Sequence, residues 1–420
     1  MTKTTSPSIL HVSTHADLGG AARASVRIAQ CQFQYGLDSE LLCMTSTATS
    51  AVMKKFEPVS ITDKLHTVQN FLRRSRAPSY KDSPLLIDED SEISHYVPGF
   101  LSHINKSSKQ IINLHWINGL LSIKEIGSIN KPVVWTLHDM WAFCGCEHYT
   151  TESRWRDGYS ESNRPDHEFS SDINRRAWDQ KQMHWSRPMH IVSPSHWLAH
   201  CVRQSALMRD WPVSVIPYPI DTEFWTPLPQ SLARKLLGLS ERVPLVLFGA
   251  FGAGRDPRKG FDLLRDALEN LRADIPDLEL AVFGQADAHN LTDLGLSTHF
   301  SGHLDDDTHL RAMYSAADVF VLPSRQDNLP NTGIEALACG TPVVAFDTGG
   351  MPDIVVHKKT GYLSKPFDTD DLAKGISWVL ENSKTEGLRE RSRTFAIQQF
   401  SCSSVAAKYA SIYQSASLCL

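Results

Sequence analysis

The feature that most constrains this chain is a series of short, near-continuously apolar runs separated by stretches of helical periodicity. In the first half the runs are SILHVST (8–14), SELLCMT (39–45), QIINLHW (110–116), PVVWTLH (132–138), MHIVS (189–193) and VSVIP (213–217). In the second half they are LVLFGA (245–250), LELAVFG (278–284), DVFVLPS (318–324) and TPVVAFD (341–347). Runs this short and this β-branched fit strands buried on both faces of a parallel sheet. Small and apolar residues at helical spacing follow the first run (Ala21, Ser25, Ile28, Ala29) and the fifth (Leu198, Val202). Further helical stretches cover 259–273, 306–316 and 331–339. The alternation predicts an α/β chain with doubly wound sheets. Two successive sets in 420 residues predict two Rossmann-like domains facing a central cleft, not one core.

Pro217, Pro219, Pro227 and Pro229 crowd the stretch between the two sets and break regular structure there. The expected organisation is therefore an N-terminal domain over 1–217, a C-terminal domain over 218–400, and a C-terminal helix over 401–420 that packs on either domain, the N-domain included. Residues 1–217 carry a net charge of +2 and residues 218–420 one of −7. The whole chain, at −5, is not a strongly basic nucleic-acid binder. The first twenty residues hold no apolar run of signal-peptide length, and no segment reaches the roughly 18 apolar residues of a membrane span. The expected location is cytoplasmic. Among eight cysteines only Cys144 and Cys146 are close, as C-x-C, and the second pair that structural zinc needs is missing. Buried reduced thiols are expected there.

Ligands of doubly wound sheets bind outside the carboxyl ends of the strands, so the residues after each strand hold the candidates. After the first strand, Gly19 and Gly20 open a helix. Glycines let a backbone approach a ligand, and helix N-termini favour anions; a plain βα turn has the same signature. After LVLFGA, the residues Arg255, Arg258 and Lys259 crowd a loop that opens a helix. Cations there oppose the helix dipole, so an anion between them is expected. The run 318–350 has a strand ending at Pro323-Ser324, a loop with Asp327, and Pro330 where the first helical turn should begin. Glu335 follows, eight residues after Asp327. Two carboxylates flank the amides from Asn331 onward, an arrangement that fits a sugar nucleotide: diphosphate on the amides, hydroxyls on the carboxylates.

At this point the sequence resembles glycosyltransferase family 4, retaining nucleotide-sugar-dependent enzymes of the GT-B fold. The matching residues are GGAA (19–22), WTLHD (135–139), SPS (193–195), IPYPIDTEFW (216–225), DPRKGFDLL (256–264), AVFG (281–284), SGHLDDD (301–307) and the D-x7-E within PSRQDNLPNTGIEALACGTPVVA. The branch most similar, through its NLHWI-like and VVWTLHD-like strands, builds bacterial surface polysaccharides and lipopolysaccharide. The resemblance implies that Lys259 binds the donor diphosphate with Arg255 or Arg258, between which the sequence does not choose. It implies that Asp327, one methylene shorter than the family's glutamate, touches the donor sugar, and that Glu335 bonds the ribose. The family's glycine-rich loop is replaced by DNLP, so the phosphate amides would be those of Asn331 and Thr332. His138 matches a histidine near the donor sugar and the transfer point. No cofactor and no metal are expected. The three D-x-D matches, Asp88/Asp90, Asp305/Asp307 and Asp368/Asp370, lie in turn-like or helix-capping contexts.

The partners implied are a nucleotide-sugar donor and a glycan or lipid-linked acceptor. Two rival readings share the fold: a hydrolase or epimerase acting on a sugar nucleotide, and a non-catalytic binder of nucleotide sugar or glycan. Ile61, Leu65, Val68 and Leu72, followed by Arg73, Arg74 and Arg76, read as a basic amphipathic helix touching the inner membrane face or as an ordinary surface helix. His115 and Trp116 line an acceptor pocket or form a core pair. Trp141, Trp155, Trp178 and Trp185 are core residues or a sugar-stacking surface. Residues 144–175, rich in Ser, Asp, Arg, Tyr and Trp, read as a long polar loop.

Overall fold

A computed structural model describes residues 7–46, 50–57, 97–166, 168, 171–250, 256–284, 295–302, 304, 306–383 and 387–417. The chain divides into two compact units: Met1–Pro217 with Val405–Leu420, and Tyr218–Ser404. Among the described residues, no helix is long and apolar enough to cross a membrane. The basic stretch 60–76, the pair Asp88/Asp90, and Arg255 and Asp305 lie outside the described residues.

The first unit runs β1 (Ser8–His15), α1 (Gly19–Gln34), β2 (Asp38–Thr45), β3 (Met53–Lys55), α2 (Phe100–Lys106), β4 (Ile111–Leu114), α3 (Ile123–Gly127), β5 (Val133–Thr136), α4 (Arg154–Asp157), α5 (Ile173–His184), β6 (His190–Ser193), α6 (His196–Gln204) and β7 (Val213–Val215). Its seven strands lie in the order β3-β2-β1-β4-β5-β6-β7, with parallel pairing throughout. Strand order reverses between β1 and β4, the kind of switch point at which such sheets hold ligands. The apolar strands are buried as their composition demands: Val12, Ile112, Leu114, Trp135 and Ile191 share one core cluster. β3 escaped the sequence reading because MKK carries no apolar run.

The stretch 144–175 corrects the reading as a polar loop. Cys146, Glu147, His148, Arg154, Trp155, Tyr159 and Asn174 are all buried. Arg154 sits between Asp172, at 2.6 Å, and Glu168, at 3.3 Å. Lys181, fully buried, donates to the carbonyls of Trp141, Cys144 and Gly145 and lies 3.9 Å above the Trp141 ring. Composition looks solvated here because the polar groups satisfy one another inside the unit. The four tryptophans 141, 155, 178 and 185 are core residues. Cys144 and Cys146 are free and buried.

The second unit runs α7 (Gln230–Leu236), β8 (Leu245–Ala250), a 3-10 turn (Pro257–Lys259), α8 (Phe261–Leu271), β9 (Glu279–Gly284), β10 (Ser297–Phe300), α9 (Asp307–Ala316), β11 (Val319–Leu322), α10 (Asn331–Ala338), β12 (Val343–Phe346), β13 (Gly361–Ser364), α11 (Thr369–Asn382) and α12 (Leu388–Phe400). The sheet is again parallel, in the order β10-β9-β8-β11-β12-β13, and reverses between β8 and β11. Both edge strands were missed in the sequence. β10 is largely polar and partly exposed, and β13 is four residues long. Buried arginines tie this unit together through backbone carbonyls. Arg234 reaches Ala316, Ser240 and Val243 and pairs with Asp318 at 2.7 Å. The last helix, α13 (Cys402–Ser417), joins the first unit from Val405 on and buries Tyr409 and Tyr413 there.

Candidate functional site

Each switch point carries a cluster of polar side chains. In the second unit, Asp256 ends the loop after β8 and accepts the Arg258 amide at 3.0 Å, closing the 3-10 turn. Gly260 then adopts φ +67°, and a Cβ there would lie 1.9 Å from the Pro323 carbonyl oxygen. Only glycine lets this turn press against the end of β11. That contact brings Lys259 to the Asp327 carboxylate, with Nζ 2.5 Å from Oδ2. Arg258 donates to Asp256 at 2.8 Å and to the Gln326 carbonyl at 3.0 Å, and its guanidinium is 3.9 Å from Asp327. The other Asp327 oxygen accepts the Asn328 amide at 2.9 Å. Gly349, at φ +55°, packs so tightly on the Asp327 backbone that a Cβ would come within 2.4 Å of its carbonyl oxygen.

Burial acts to raise the Asp327 pKa, but the charges of Lys259 and then Arg258 outweigh it, and the carboxyl stays below its ordinary value. α10 starts at Asn331, with Pro330 at its N-cap and not in its first turn, and no side chain caps it. Asn331 and Thr332 thus occupy the first turn, whose amides have no partner within the helix. One helical stretch on, the buried Glu335 carboxylate accepts the Tyr314 hydroxyl at 3.0 Å. Of the residues singled out in the sequence, Arg258, Lys259, Asp327, Asn331, Thr332 and Glu335 therefore lie on the carboxyl-end loops of β8 and β11 and on the helix that follows. Asp256 and Tyr314 were missed. Asp256 belonged to the DPRKG run but carried no separate signal, and Tyr314 lies on a different helix.

In the first unit, Gly19 opens α1 at φ +83°, with nothing within 4 Å of an added Cβ, and Gly20 beside it is exposed. His138 follows β5 and is 8% exposed. It belongs to a row of three buried histidines. His11 Nδ1 is 2.9 Å from His115 Nε2, and His115 Nδ1 is 3.1 Å from His138 Nε2. His115 is thus bonded on both ring nitrogens, which places it in the core, while Trp116 stacks on His15 and His148. Burial lowers the pKa of both His11 and His138 to about 4, and burial together with the neighbouring imidazoles holds that of His115 well below its ordinary value. Beside the row, the Asp139 carboxylate bonds His148 Nδ1 at 2.7 Å. His11 was not foreseen, since a histidine in an apolar strand reads as core. Asp368 caps α11 through the Asp371 amide, and Asp370 accepts from Asn270. Among the described residues no group of three or more His, Cys, Asp or Glu is placed to hold a metal.

The sequence and the fold have parallels among known proteins. The family profile of Glycosyl transferases group 1 matches residues 250–398. The chain is 32% identical over 185 residues to the GDP-mannose-dependent alpha-(1-6)-phosphatidylinositol monomannoside mannosyltransferase of Mycolicibacterium smegmatis, an alignment covering 40% of this chain and 47% of that protein. It is 30% identical over 227 residues to the lipopolysaccharide core biosynthesis mannosyltransferase LpsB of Rhizobium meliloti, covering 50% of this chain and 64% of that protein. The alignments thus span between about half and two thirds of these relatives. Among solved structures, Anabaena Alr3699/HepE, crystallised with UDP and glucose, superposes with a TM-score of 0.67 at 17% identity, over 97% of this chain and 100% of that one. A likeness at that identity speaks for the fold.

Proposed function

We propose, from the match of residues 250–398 to the group 1 glycosyl transferases and from the GT-B fold, that the chain is a retaining, metal-independent glycosyltransferase. It moves a hexose from a nucleotide-sugar donor to a hydroxyl of a glycan or lipid-linked acceptor, in the synthesis of cell-surface polysaccharide or lipopolysaccharide. The observation that carries this reading is the Lys259–Asp327 pair beside the uncapped first turn of α10. A lysine ammonium has three N–H donors, and Asp327 takes one of them. The pair holds Lys259 in place before the donor arrives, and the remaining donors serve its diphosphate. Negative charge grows on that diphosphate as the anomeric C–O bond breaks. Lys259, Arg258 and the first-turn amides of Asn331 and Thr332 stabilise it through charge and hydrogen bonds already in place.

Asp327 keeps lone pairs on both carboxylate oxygens for donor-sugar hydroxyls, and Glu335, steadied by Tyr314, takes the ribose. Gly19 and Gly20 give the donor a close backbone approach, and His138 serves the transfer point. The two mannosyltransferase relatives favour GDP-mannose as the first donor to try. The protein is incubated with GDP-mannose and with UDP- and ADP-hexoses, with a lipid-linked glycan acceptor, in EDTA. Transfer to the acceptor with the anomeric configuration kept supports the reading. Free sugar or an epimer as the sole product indicates the hydrolase or epimerase instead. Activity lost in EDTA and restored by Mn²⁺ removes the metal-free mechanism.

A further inference from the structure

The opposite end of the first sheet carries a cavity that sugar transfer does not use. Its volume is about 440 Å³, the size of a site for one small ligand. It lies at the amino-terminal ends of β5, β6 and β7, where Val133, His190 and Pro212 line it. The rest of the wall comes from segments 126–132 and 184–189 and from Ser415 and Ala416 of α13, all within the first unit. His138 follows the other end of β5. Val133 and His138 are separated by about 16 Å of extended chain, so an occupant of the cavity sits apart from the transfer point.

The lining divides by chemistry. Trp185 and Met189 are buried and, with Ile126 and Ile129, give it an apolar floor. Trp185 is fixed in that floor: its indole N–H donates to the Ile123 carbonyl at 2.8 Å, and its ring packs edge-on against Trp135. The ionisable residues of the lining are Lys131, His184, Arg187 and His190, and it holds no Asp or Glu. In a chain of net charge −5 this is a local excess of the other sign. Among the described residues none of the four pairs with a carboxylate. Lys131 gives two N–H groups to the carbonyls of Ser107 and Lys109, the second at 2.6 Å, and keeps a third. Arg187, exposed, reaches only the Ile129 carbonyl, at 3.4 Å. His190 is tied to Ser214 through Nε2 at 3.0 Å. Burial lowers the pKa of both Lys131 and His190, so these groups are partly withdrawn from water with no anion to compensate.

We propose that this cavity binds an anionic amphiphile: one apolar chain lying against Trp185 and Met189, and a carboxylate or phosphate head held by Arg187 and the remaining Lys131 N–H. Apolar walls alone take any hydrophobe, and cations alone take any anion. The two together in one cavity select a molecule that has both parts. The sign of the head follows from charge complementarity, since a cationic head meets only like charge in this lining. The inference does not rest on the glycosyltransferase reading, because no residue of the donor clamp or of the histidine row takes part.

The test is calorimetric titration of the full chain with decanoate and with decyl phosphate, each below its micelle concentration. Decylammonium, decanol and inorganic phosphate are the controls. At least one of the two anionic amphiphiles should bind one to one, about tenfold or more tightly than any control, since buried methylenes and charged hydrogen bonds both add affinity. Arg187→Glu, a change at an exposed residue, should weaken that binding about fivefold or more, and Arg187→Lys much less. Ala416→Phe adds bulk to the cavity wall and should weaken it without any change of charge. Lys259→Ala should leave it as it is. Failure of both anions to bind overturns the proposal. Decanol or decylammonium binding as tightly removes the selection by charge, and inorganic phosphate binding as tightly removes the apolar half; either result overturns it. So does binding that survives both Arg187→Glu and Ala416→Phe, or that is lost in Lys259→Ala, which would put the head on the donor clamp. A chain that binds the amphiphile in this way but transfers no sugar keeps the site and removes only the glycosyltransferase reading.

Discussion

Within β1 and just past the ends of β4 and β5 the first unit buries three imidazoles in a row, linked to the Gln32 amide. At the ends of β8 and β11 the second unit sets a half-buried ammonium against a buried carboxylate, with a guanidinium nearby. Both sites satisfy their polar groups, but by different physics. The first depends on matching donors with acceptors, and a wrong proton breaks it. The second depends on charge, and losing one partner leaves the other desolvated and alone. A chain that handled a neutral hydroxyl in one unit and a diphosphate in the other would need this division.

The largest expected effect separates the two units by pH. His11 and His138 have pKa values lowered to about 4, from an unfolded value near 6.5. The folded state therefore resists protonation while the unfolded state accepts it. The stability is fully present above about pH 6.5 and is lost as pH falls toward 4. At about 1.4 kcal/mol per pH unit, each histidine accounts for roughly 3 kcal/mol over that window. Glu125 and Glu147, raised by burial, contribute with the opposite sign and offset part of it. The Asp327 clamp, lowered from 3.8, acts only below that window. Hydrogen exchange followed by mass spectrometry from pH 7.5 to 4 should show peptides of β1, β4 and β5 losing protection before those of β8 and β11. Simultaneous loss would mean that the two sites do not differ in this way.

Next comes Lys259→Ala. Removing one member of a desolvated charge pair costs about 2–5 kcal/mol, and the same ammonium faces a phosphate whose charge grows during the reaction. Transfer kcat/KM should fall about thirtyfold to several-thousandfold, with kcat itself lowered. Lys259→Arg restores charge but not shape and should recover part of the loss. Wild-type turnover in Lys259→Ala would remove the clamp from the chemistry.

Asp327→Asn should be milder. A charged hydrogen bond is worth about 1.5–3 kcal/mol, or roughly ten- to a hundredfold in rate. The amide keeps the shape and an oxygen for Lys259, so nucleoside diphosphate affinity should change much less than transfer. Equal losses in both would make Asp327 a support for Lys259 and nothing more.

The same contrast explains what could be read from the sequence. The β8 and β11 clamp was legible because its residues are near neighbours along the chain. Arg258 and Lys259 share one turn, and Asp327 lies in the loop just before the helix that carries Glu335. Their charges stand out against buried strands, so the pairing needed only the fold. The link between the histidines was not legible. His115 and His138 stood out singly, for other roles, and His11 read as an ordinary strand residue. Only the parallel order β1-β4-β5 brings the three into one row. The buried network at 144–175 failed for a related reason: composition counts polar groups but not the partners they find. The fold itself came through because strands buried on both faces must be apolar along their whole length, a signal that needs no long-range knowledge.

The smallest expected effect tests whether charge in the second unit matters because it is buried or merely because it lies in this loop. Arg325 follows β11 and pairs with Asp262 of α8 at 2.8 and 2.5 Å, and it also donates to the Pro257 carbonyl. It therefore grips the same 3-10 turn that carries Lys259. Its side chain is 35% exposed and that of Asp262 51%, whereas Lys259 and Asp327 are at 19% and 10%. Exposed pairs contribute about 0–1 kcal/mol, since water screens both charges and the unpaired partner is easily solvated. Arg325→Ala should thus lower stability by no more than about 1 kcal/mol and kcat/KM by no more than about fivefold, and added salt should shrink the difference further. The distances are as short as those of the buried clamp, so contact geometry alone would predict equal losses. A loss in Arg325→Ala as large as in Lys259→Ala would mean that loop position, not desolvation, sets the importance of charge here.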